Sequence, residues 1–473
     1  MRGVGRELNG GIDAHGRTTE RFASGRCDRS GAFRSGFTEK PHRSRYFLCG
    51  LRVPLRCRRH LGHRQRAQLG LPEHAHHHVP RSDGVRGPSD GPGLPAYPRH
   101  DQVLGYLRQY AERFGLLELI RFGSDVTGVE RLPDGWSVTT ADGETHEHSA
   151  LIIANGHNWH PYLPSFSGKF DGEILHSRDY TNAASLTGKR VLVVGAGNSG
   201  CDIAVEAAGV ADHVAISMRR GYHFFPKFIF GKPADQVSES SQHLRLPPPV
   251  ARAAYRTMLK LSIGRPEQFG LPKPDHEPLE SPPIVNSLLP YYCAHGRVKV
   301  RKAPVRFDGK FVEFSDGTSE EFDVIILATG FRIHIPFVGE EHLDWVKGRP
   351  DFYLLAFSPR YDDLFIAGMT DGTGGHFPTV ELQSRVIAGY LAARKRDPEA
   401  ARRFDDMKRQ RSVDITGGIN FLDSRRNLTQ FELTTYLRIL RDHLAVLGGQ
   451  DTTYARRPSL LQQAAGLLQG GRK

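Results

Sequence analysis

Apolar residues along this chain fall into periodic blocks only from about residue 94 onward. Val103, Leu107, Tyr110 and Phe114 recur at helical spacing, behind Asp101 as a suitable N-cap and ahead of Gly115, which predicts one amphipathic helix. Short alternating runs at 126–129 and 136–138 are punctuated by Asp134-Gly135 and Asp142-Gly143, dipeptides suited to hairpin turns because Gly tolerates positive φ. An apolar strand, Leu151-Ile152-Ile153, then ends in Ala154-Asn155-Gly156. The same order returns at Asp308-Gly309, Asp316-Gly317 and the strand Val324-Ile325-Ile326-Leu327, which ends in Ala328-Thr329-Gly330. In both copies the Asp-Gly pairs lie eight residues apart and the second Gly precedes the strand-terminating Gly by 13. Agreement of both spacings predicts an architecture built twice, as two similar domains.

Between the copies, Arg190-Val191-Leu192-Val193-Val194 runs into Gly195-Ala196-Gly197-Asn198-Ser199-Gly200 and then into a helical pattern over 201–208. In this strand–loop–helix context the first Gly permits a tight turn, the second lets the backbone approach a pyrophosphate, and the third permits close helix–strand packing. The helix start adds unpaired N–H donors. The loop predicts dinucleotide binding through Gly195, Gly197, Asn198, Ser199 and Gly200. About 20 residues further on, where an acid would hold the ribose hydroxyls of NAD, the chain carries Ser217-Met218-Arg219-Arg220. A hydroxyl and two guanidiniums suit a 2′-phosphate, so NADP is expected at Ser217, Arg219 and Arg220, with a solvated basic turn as the plainer alternative.

Composition changes the picture mainly at the N-terminal end. The 473 residues are 38% hydrophobic and 25% charged with a mean hydropathy of −0.44, which excludes a collagen, a wholly disordered chain and a multi-span membrane protein. Of the net charge of +12, residues 1–93 hold +10, from 17 Arg and one Lys against eight acidic residues. A basic arm for nucleic acid is one reading of this stretch, but its arginines are scattered with little aromatic interleaving. A disordered leader is another, and coding sequence read out of frame fits best, because the Arg/Gly/His/Pro-rich run gives way abruptly to patterned sequence. Cys27, Cys49, Cys57, Cys201 and Cys293 form neither a disulfide framework nor a CxxC pair. With no apolar run near the roughly 20 residues of a membrane span and no signal-peptide core, a cytoplasmic protein without membrane or nucleic-acid partners is expected. A homo-oligomer remains open.

A duplicated domain should begin with its own strand and glycine loop upstream of residue 94, yet Gly3-Val4-Gly5 lacks a preceding strand and the stretch 31–36 has the wrong spacing. Toward the C-terminus, residues 364–368 read as a strand, 371–375 as a glycine-rich loop, and Pro378 as the opening of a helix carrying Glu381, Leu382 and Gln383. Backbone donors at that helix start suit the polar edge of a flavin, and an ordinary strand-to-helix connection is the alternative.

The run Phe170-Asp171-Gly172-Glu173-Ile174-Leu175-His176-Ser177-Arg178-Asp179-Tyr180 matches F-x-G-x-x-x-H-x-x-x-Y/F just ahead of the glycine loop. With Tyr97-Pro98-Arg99-His100, Gly270-Leu271-Pro272-Lys273-Pro274, Ala328-Thr329-Gly330-Phe331 and Glu381-Leu382-Gln383, the chain from about 94 to 445 resembles the flavin-containing monooxygenases among the class B flavoprotein monooxygenases. The resemblance implies an α/β fold of two Rossmann-like domains, the NADP domain (165–330) inserted into an FAD domain (94–164 and 331–447). A basic segment (1–93) replaces the first βαβ of the FAD domain, which is missing or disordered, and 448–473 form a tail. It implies FAD and NADP as cofactors, with Thr329, Gly330 and Gln383 among the contacting residues. NADPH then reduces FAD, and a C4a-(hydro)peroxyflavin formed with O₂ oxygenates a small-molecule nucleophile at soft nitrogen or sulfur. His176 is expected to be structural, no catalytic residue is assigned, and residues 221–290 are expected at the active-site mouth. Three departures stand out: no N-terminal FAD fingerprint, no equivalent of the family's active-site Asn before Tyr97, and Ala154-Asn155-Gly156 in place of the first A-T-G. A Baeyer–Villiger monooxygenase, which usually has Trp where Tyr180 stands, and an inactive NADP-binding remnant are the alternatives. The lack of a CxxC pair speaks against a disulfide reductase.

Overall fold

The computed structural model describes residues 95, 97–229, 231–234, 248–410 and 413–449. The expectations for residues 1–93, including the out-of-frame reading and the missing first βαβ, lie outside these residues, as does the tail from 450.

Helix α1 (His100–Arg113) begins two residues earlier than the pattern suggests. Its N-cap is Arg99, in extended backbone, and Asp101 lies in the first turn, where a carboxylate complements the positive end of the helix dipole. The Arg99 N–H donates to Gln102 Oε1 at 2.8 Å, and Gly115 follows the helix at φ +61°. Strands β1 (Val126–Leu132), β2 (Gly135–Thr140) and β3 (Thr145–His148) form an antiparallel meander followed by β4 (Leu151–Ile153). After β5 (Glu173–His176) and β6 (Arg190–Val194) come helix α2 (Asn198–Ala207), β7 (His213–Ser217) and β8 (Lys299–Arg301). A second meander, β9 (Pro304–Gly309), β10 (Phe311–Phe314) and β11 (Ser319–Glu321), leads into β12 (Val324–Leu327).

The two meanders repeat in detail. At the second turn of the first, the Gly143 N–H donates to the Thr140 carbonyl and the Thr140 N–H to the Glu144 carbonyl, both at 2.9 Å. In the second, Gly317 donates to Phe314 at 2.9 Å and Phe314 to Thr318 at 2.8 Å. The first turns differ: Leu132 pairs with Gly135 across residues 133–134, whereas Asp308 pairs with Phe311 across 309–310.

Strands β8, β7, β6, β12 and β5 lie side by side in that order as one parallel sheet. Its central strands read as near-continuous apolar runs because both faces are covered. Alternate residues serve opposite cores. Val191, Val193, Ile216, Val324 and Ile326 pack with the α2 residues Ile203, Ala204 and Ala207. Leu192, Val194, Ala215, Ile325 and Leu327 face Phe307, Phe314 and Phe322 of the second meander.

Strand β13 (Leu364–Ile366) pairs in parallel with β4. Helices α3 (His376–Arg396), α4 (Pro398–Gln410) and α5 (Leu433–Val446) pack around Phe357, Tyr390, Phe404 and Tyr436, all 0–1% exposed. The architecture is α/β, as expected. Among the described residues, no helix is long and apolar enough to cross a membrane, and no group of three or more His, Cys, Asp or Glu could hold a metal ion.

Candidate functional site

The glycine loop joins β6 to α2 as the sequence predicts, and its three glycines have separable duties. Gly195 has φ +108°, and a Cβ there would stand 2.4 Å from the Ala328 carbonyl oxygen. A Cβ on Gly200 would stand 1.9 Å from the Gly195 carbonyl oxygen. One on Gly197 would meet nothing within 4 Å, leaving space beside the start of α2, where Gly197 is an N-cap without a side-chain bond. The first-turn N–H groups are thereby left for a ligand. The Asn198 side chain accepts from the Val285 N–H at 2.9 Å, which fastens residues 281–286 beside the loop.

Gly195, Gly197, Asn198 and Ser199 line a cavity of about 2220 Å³, well beyond the ~300–1,000 Å³ of an ordinary small-molecule site. Ser217, Arg219 and Arg220 also reach it, but in different ways. The Ser217 hydroxyl donates to the Lys302 carbonyl at 2.8 Å. The Arg220 guanidinium faces Asp275 at 3.6 Å, an acid 55 positions away that no local pattern points to. Arg219 forms no ion pair among the described residues and lines the cavity.

Across the same cavity lie Asp371, Gly372, Thr373, Gly374, Gly375 and His376. Helix α3 starts at His376, two residues before the expected Pro378, with Gly375 as an N-cap without a side-chain bond. The His157 ring donates from Nε2 to Asp371 Oδ2 at 3.4 Å, and Thr429 Oγ1 donates to the same oxygen at 3.3 Å. Burial alone would raise the Asp371 carboxyl, but the His157 hydrogen bond and charge hold it below the usual carboxylate range. Burial pushes His376 down to about 4, so the helix begins with a neutral imidazole beside a carboxylate. Sequence reasoning found this loop but not His157, whose approach depends on how the segment after β4 folds back.

Two crossovers connect these halves, and hydrogen bonds tie them together. Thr329 Oγ1 donates to the Tyr162 carbonyl at 2.6 Å, and the Tyr162 N–H donates to the Gly330 carbonyl at 2.9 Å. His176 accepts from the Arg178 N–H at Nδ1 (3.0 Å), which leaves Nε2 to donate to Gly330 (3.1 Å). These two contacts fix the Nε2–H tautomer of the ring. Gly172 lies where a Cβ would meet the Asp323 carbonyl oxygen at 2.4 Å, while Phe170 and Tyr180 are buried. Asn155, where the second copy has Thr329, donates from Nδ2 to the His334 carbonyl at 2.9 Å. Thr329 and Gly330 both reach the cavity.

Gln383 is not among the residues that line the cavity. It is fully buried, with Oε1 accepting from the Gly368 N–H at 2.8 Å and Nε2 donating to the Tyr436 hydroxyl at 3.0 Å. Helix α3 turns it toward α5, so its amide braces the helical layer behind the loop.

A family model described as flavin-binding monooxygenase-like matches residues 89–450. Flavin-containing monooxygenase 5 of Homo sapiens is 32% identical over 390 residues, covering 78% of this chain and 70% of that protein. Dimethylaniline monooxygenase (N-oxide-forming) 2 of Oryctolagus cuniculus is 33% identical over 311 residues, 62% of this chain and 58% of that protein. Among solved structures, NADP⁺-bound cyclohexanone monooxygenase from Rhodococcus sp. Phi1 shares the fold with a TM-score of 0.54 at 19% identity, covering 75% of this chain and 85% of that one. S-allyl-L-cysteine S-oxygenase from Allium sativum does so with a TM-score of 0.51 at 20% identity, covering 85% and 78%. The chain belongs to the flavin-binding monooxygenase-like family, which makes it a flavin-dependent monooxygenase by descent.

Proposed function

We propose that this chain is an NADPH- and FAD-dependent monooxygenase that oxygenates soft nitrogen or sulfur in a small molecule. In this reading a nucleotide domain (165–330) is inserted between flavin-domain segments 94–164 and 331–447. The observation that carries it is the placement of two uncapped helix starts, at Asn198 and His376, on one large cavity that Arg219 also lines. The donor sets fit the two groups. Open space at Gly197 and the first N–H groups of α2 suit a pyrophosphate, and Arg219 suits a 2′-phosphate. The donors at Gly375–His376, with the neutral imidazole, suit the polar edge of a flavin ring.

When bound, FAD supplies the oxygen-activating chemistry and NADPH the reducing electrons. This chain's own residues then bind, orient and exclude water. The Thr329–Tyr162 and His176–Gly330 hydrogen bonds fix the crossovers, and with them the spacing of the two helix starts. Asp371 stays ionised in its hydrogen bond with His157, keeping that ring oriented toward the cavity. The names of two similar proteins, one N-oxide-forming and one an S-oxygenase, support soft nitrogen or sulfur as the target.

The test is the visible spectrum of the purified full chain, followed by NADPH consumption in air with a thioether, a tertiary amine and a cyclic ketone. A flavin absorbance with thioether- or amine-stimulated turnover supports the proposal. A colourless protein that still binds NADPH overturns it in favour of a nucleotide-binding protein without turnover, and stimulation by the ketone alone overturns the choice of substrate class.

A further inference from the structure

Residues 422–427 lie across the nucleotide side of the cavity, far along the chain from the glycine loop. The Leu422 N–H donates to the Glu280 carbonyl at 2.8 Å, and Asn427 Nδ2 donates to the same carbonyl at 3.1 Å. Both ends of the segment are thus fastened to one backbone atom of the middle of the chain. Between them, the Arg425 Cζ lies 3.5 Å from the Tyr162 ring centroid and the Arg426 Cζ lies 5.7 Å from that of Tyr222. Tyr222 is two residues beyond Arg220, and Tyr162 sits on the crossover held by Thr329. Arg425, Arg426, Tyr162 and Tyr222 line the same cavity as Arg219 and Arg220.

No carboxylate forms an ion pair with either strap arginine among the described residues, although the Asp371 charge acts on Arg426, which also hydrogen-bonds Tyr222. Arg425 forms no ion pair among the described residues, and Arg426 Nη1 is buried without a hydrogen-bond partner there. A buried N–H donor left in this way is unfavourable unless an acceptor completes it. The hydrogen bond and charge of Arg425, joined by Arg332 and Arg219, hold the Tyr162 phenol below its ordinary pKa, which places those three cations around one ring. A guanidinium lying over an aromatic face keeps its in-plane N–H donors available for a phosphate.

We propose that Arg425 and Arg426 form the second half of the site for the dinucleotide's 2′-phosphate, which Arg219 meets from the end of β7 and the strap meets from the flavin side. This rests on the NADPH reading above. The same phosphate then ties the strap to the nucleotide-binding loop, so the ligand bridges segments about 200 residues apart in sequence.

Titration of the purified full chain with NADPH and with NADH tests it, using Arg425→Ala, Arg425→Lys, Arg426→Lys and Arg219→Ala. Arg425→Ala is expected to weaken NADPH about ten- to hundredfold, the loss of one charge-assisted hydrogen-bonding group, and to leave NADH within about twofold. Arg425→Lys should recover part of the loss, as a point charge without the planar fork. Arg426→Lys keeps a cation in the buried position and should also lower NADPH affinity selectively. The double variant Arg219→Ala/Arg425→Ala should lose less than the product of the single losses, because both contact one group. Equal weakening of NADPH and NADH, or no weakening of either, overturns the strap as a phosphate site. Failure of the NADPH reading itself is distinguishable, because it shows in the wild-type chain as equal affinity for the two nucleotides.

Discussion

Gly200 packs so closely on Gly195 that a Cβ added to it would stand 1.9 Å from the Gly195 carbonyl oxygen, while a Cβ added to Gly197, three residues earlier, would meet nothing within 4 Å. The first contact seats α2 on its strand; the second marks ligand space. Gly200→Ala is therefore expected to cost about 1–3 kcal/mol or more of stability through overpacking and to lose nucleotide binding with it. Gly197→Val should cost only about 1 kcal/mol, the handicap of an aliphatic N-cap, and still abolish NADPH binding. Thermal melts alongside nucleotide titration check the pair. Equal destabilisation by both substitutions would show that the loop's open face is structural.

Gln383 sits between the Gly368 N–H and the Tyr436 hydroxyl, which itself donates to the Leu354 carbonyl at 2.6 Å. Gln383→Ala removes both amide contacts inside a closed core and is expected to destabilise by about 1–3 kcal/mol for each group left unsatisfied. Flavin content per folded molecule should be unchanged. A urea titration combined with the flavin-to-protein absorbance ratio checks this, and loss of flavin at unaltered stability would restore Gln383 to the cofactor site.

The His176 imidazole bridges the Arg178 N–H and the Gly330 carbonyl, holding the start of one crossover to the end of the other. His176→Ala should lower the urea midpoint through two unsatisfied backbone groups and leave the pH profile of kcat/KM in place, since both ring nitrogens are engaged by backbone groups. His176→Gln, with one acceptor and one donor end, should recover part of the stability. A displaced profile with normal stability would assign the ring to catalysis instead.

The parts of this molecule that were legible beforehand are those whose physics is local. The glycine loop is readable because a tight turn, an open backbone and a close packing contact each demand Gly within six residues. The doubled meander is readable because turn spacing is metric, although its first turns differ by two positions for reasons no dipeptide encodes. Pro378 points to a helix start, but the backbone already turns helical at His376, because Pro is equally compatible with the whole first turn. The core contacts of Gln383 are not readable locally, because the face of α3 that looks inward is chosen by α5, some fifty residues later. Arg425 and Arg426 were illegible for the same reason in stronger form: nothing near them in sequence says they will lie over Tyr162 and Tyr222.

Several half-buried or buried histidines resist protonation in the folded chain, and this sets how stability responds to acid. Burial pulls His213, His223 and His443 below their ordinary pKa and takes His376 to about 4. In the unfolded chain each titrates near 6.5. Between about pH 6.5 and 4 the unfolded state therefore binds more protons than the folded one, so stability rises with pH across that window. The stabilisation is complete above the unfolded value and is lost as the pH falls through it. Asp371 acts in a lower window: its depressed carboxyl gives stability that is present above the ordinary carboxylate range, near 3.9, and lost as pH falls toward the folded value. The urea midpoint is expected to drop between about pH 7 and about pH 5, before any carboxylate is substantially protonated. His376→Asn keeps a polar group at the start of α3 but takes up no proton, so the slope of midpoint against pH should become shallower. An unchanged slope would show that His376 accepts its proton as readily in the folded chain as in the unfolded one, which would place it in water and not against the ring edge of a flavin.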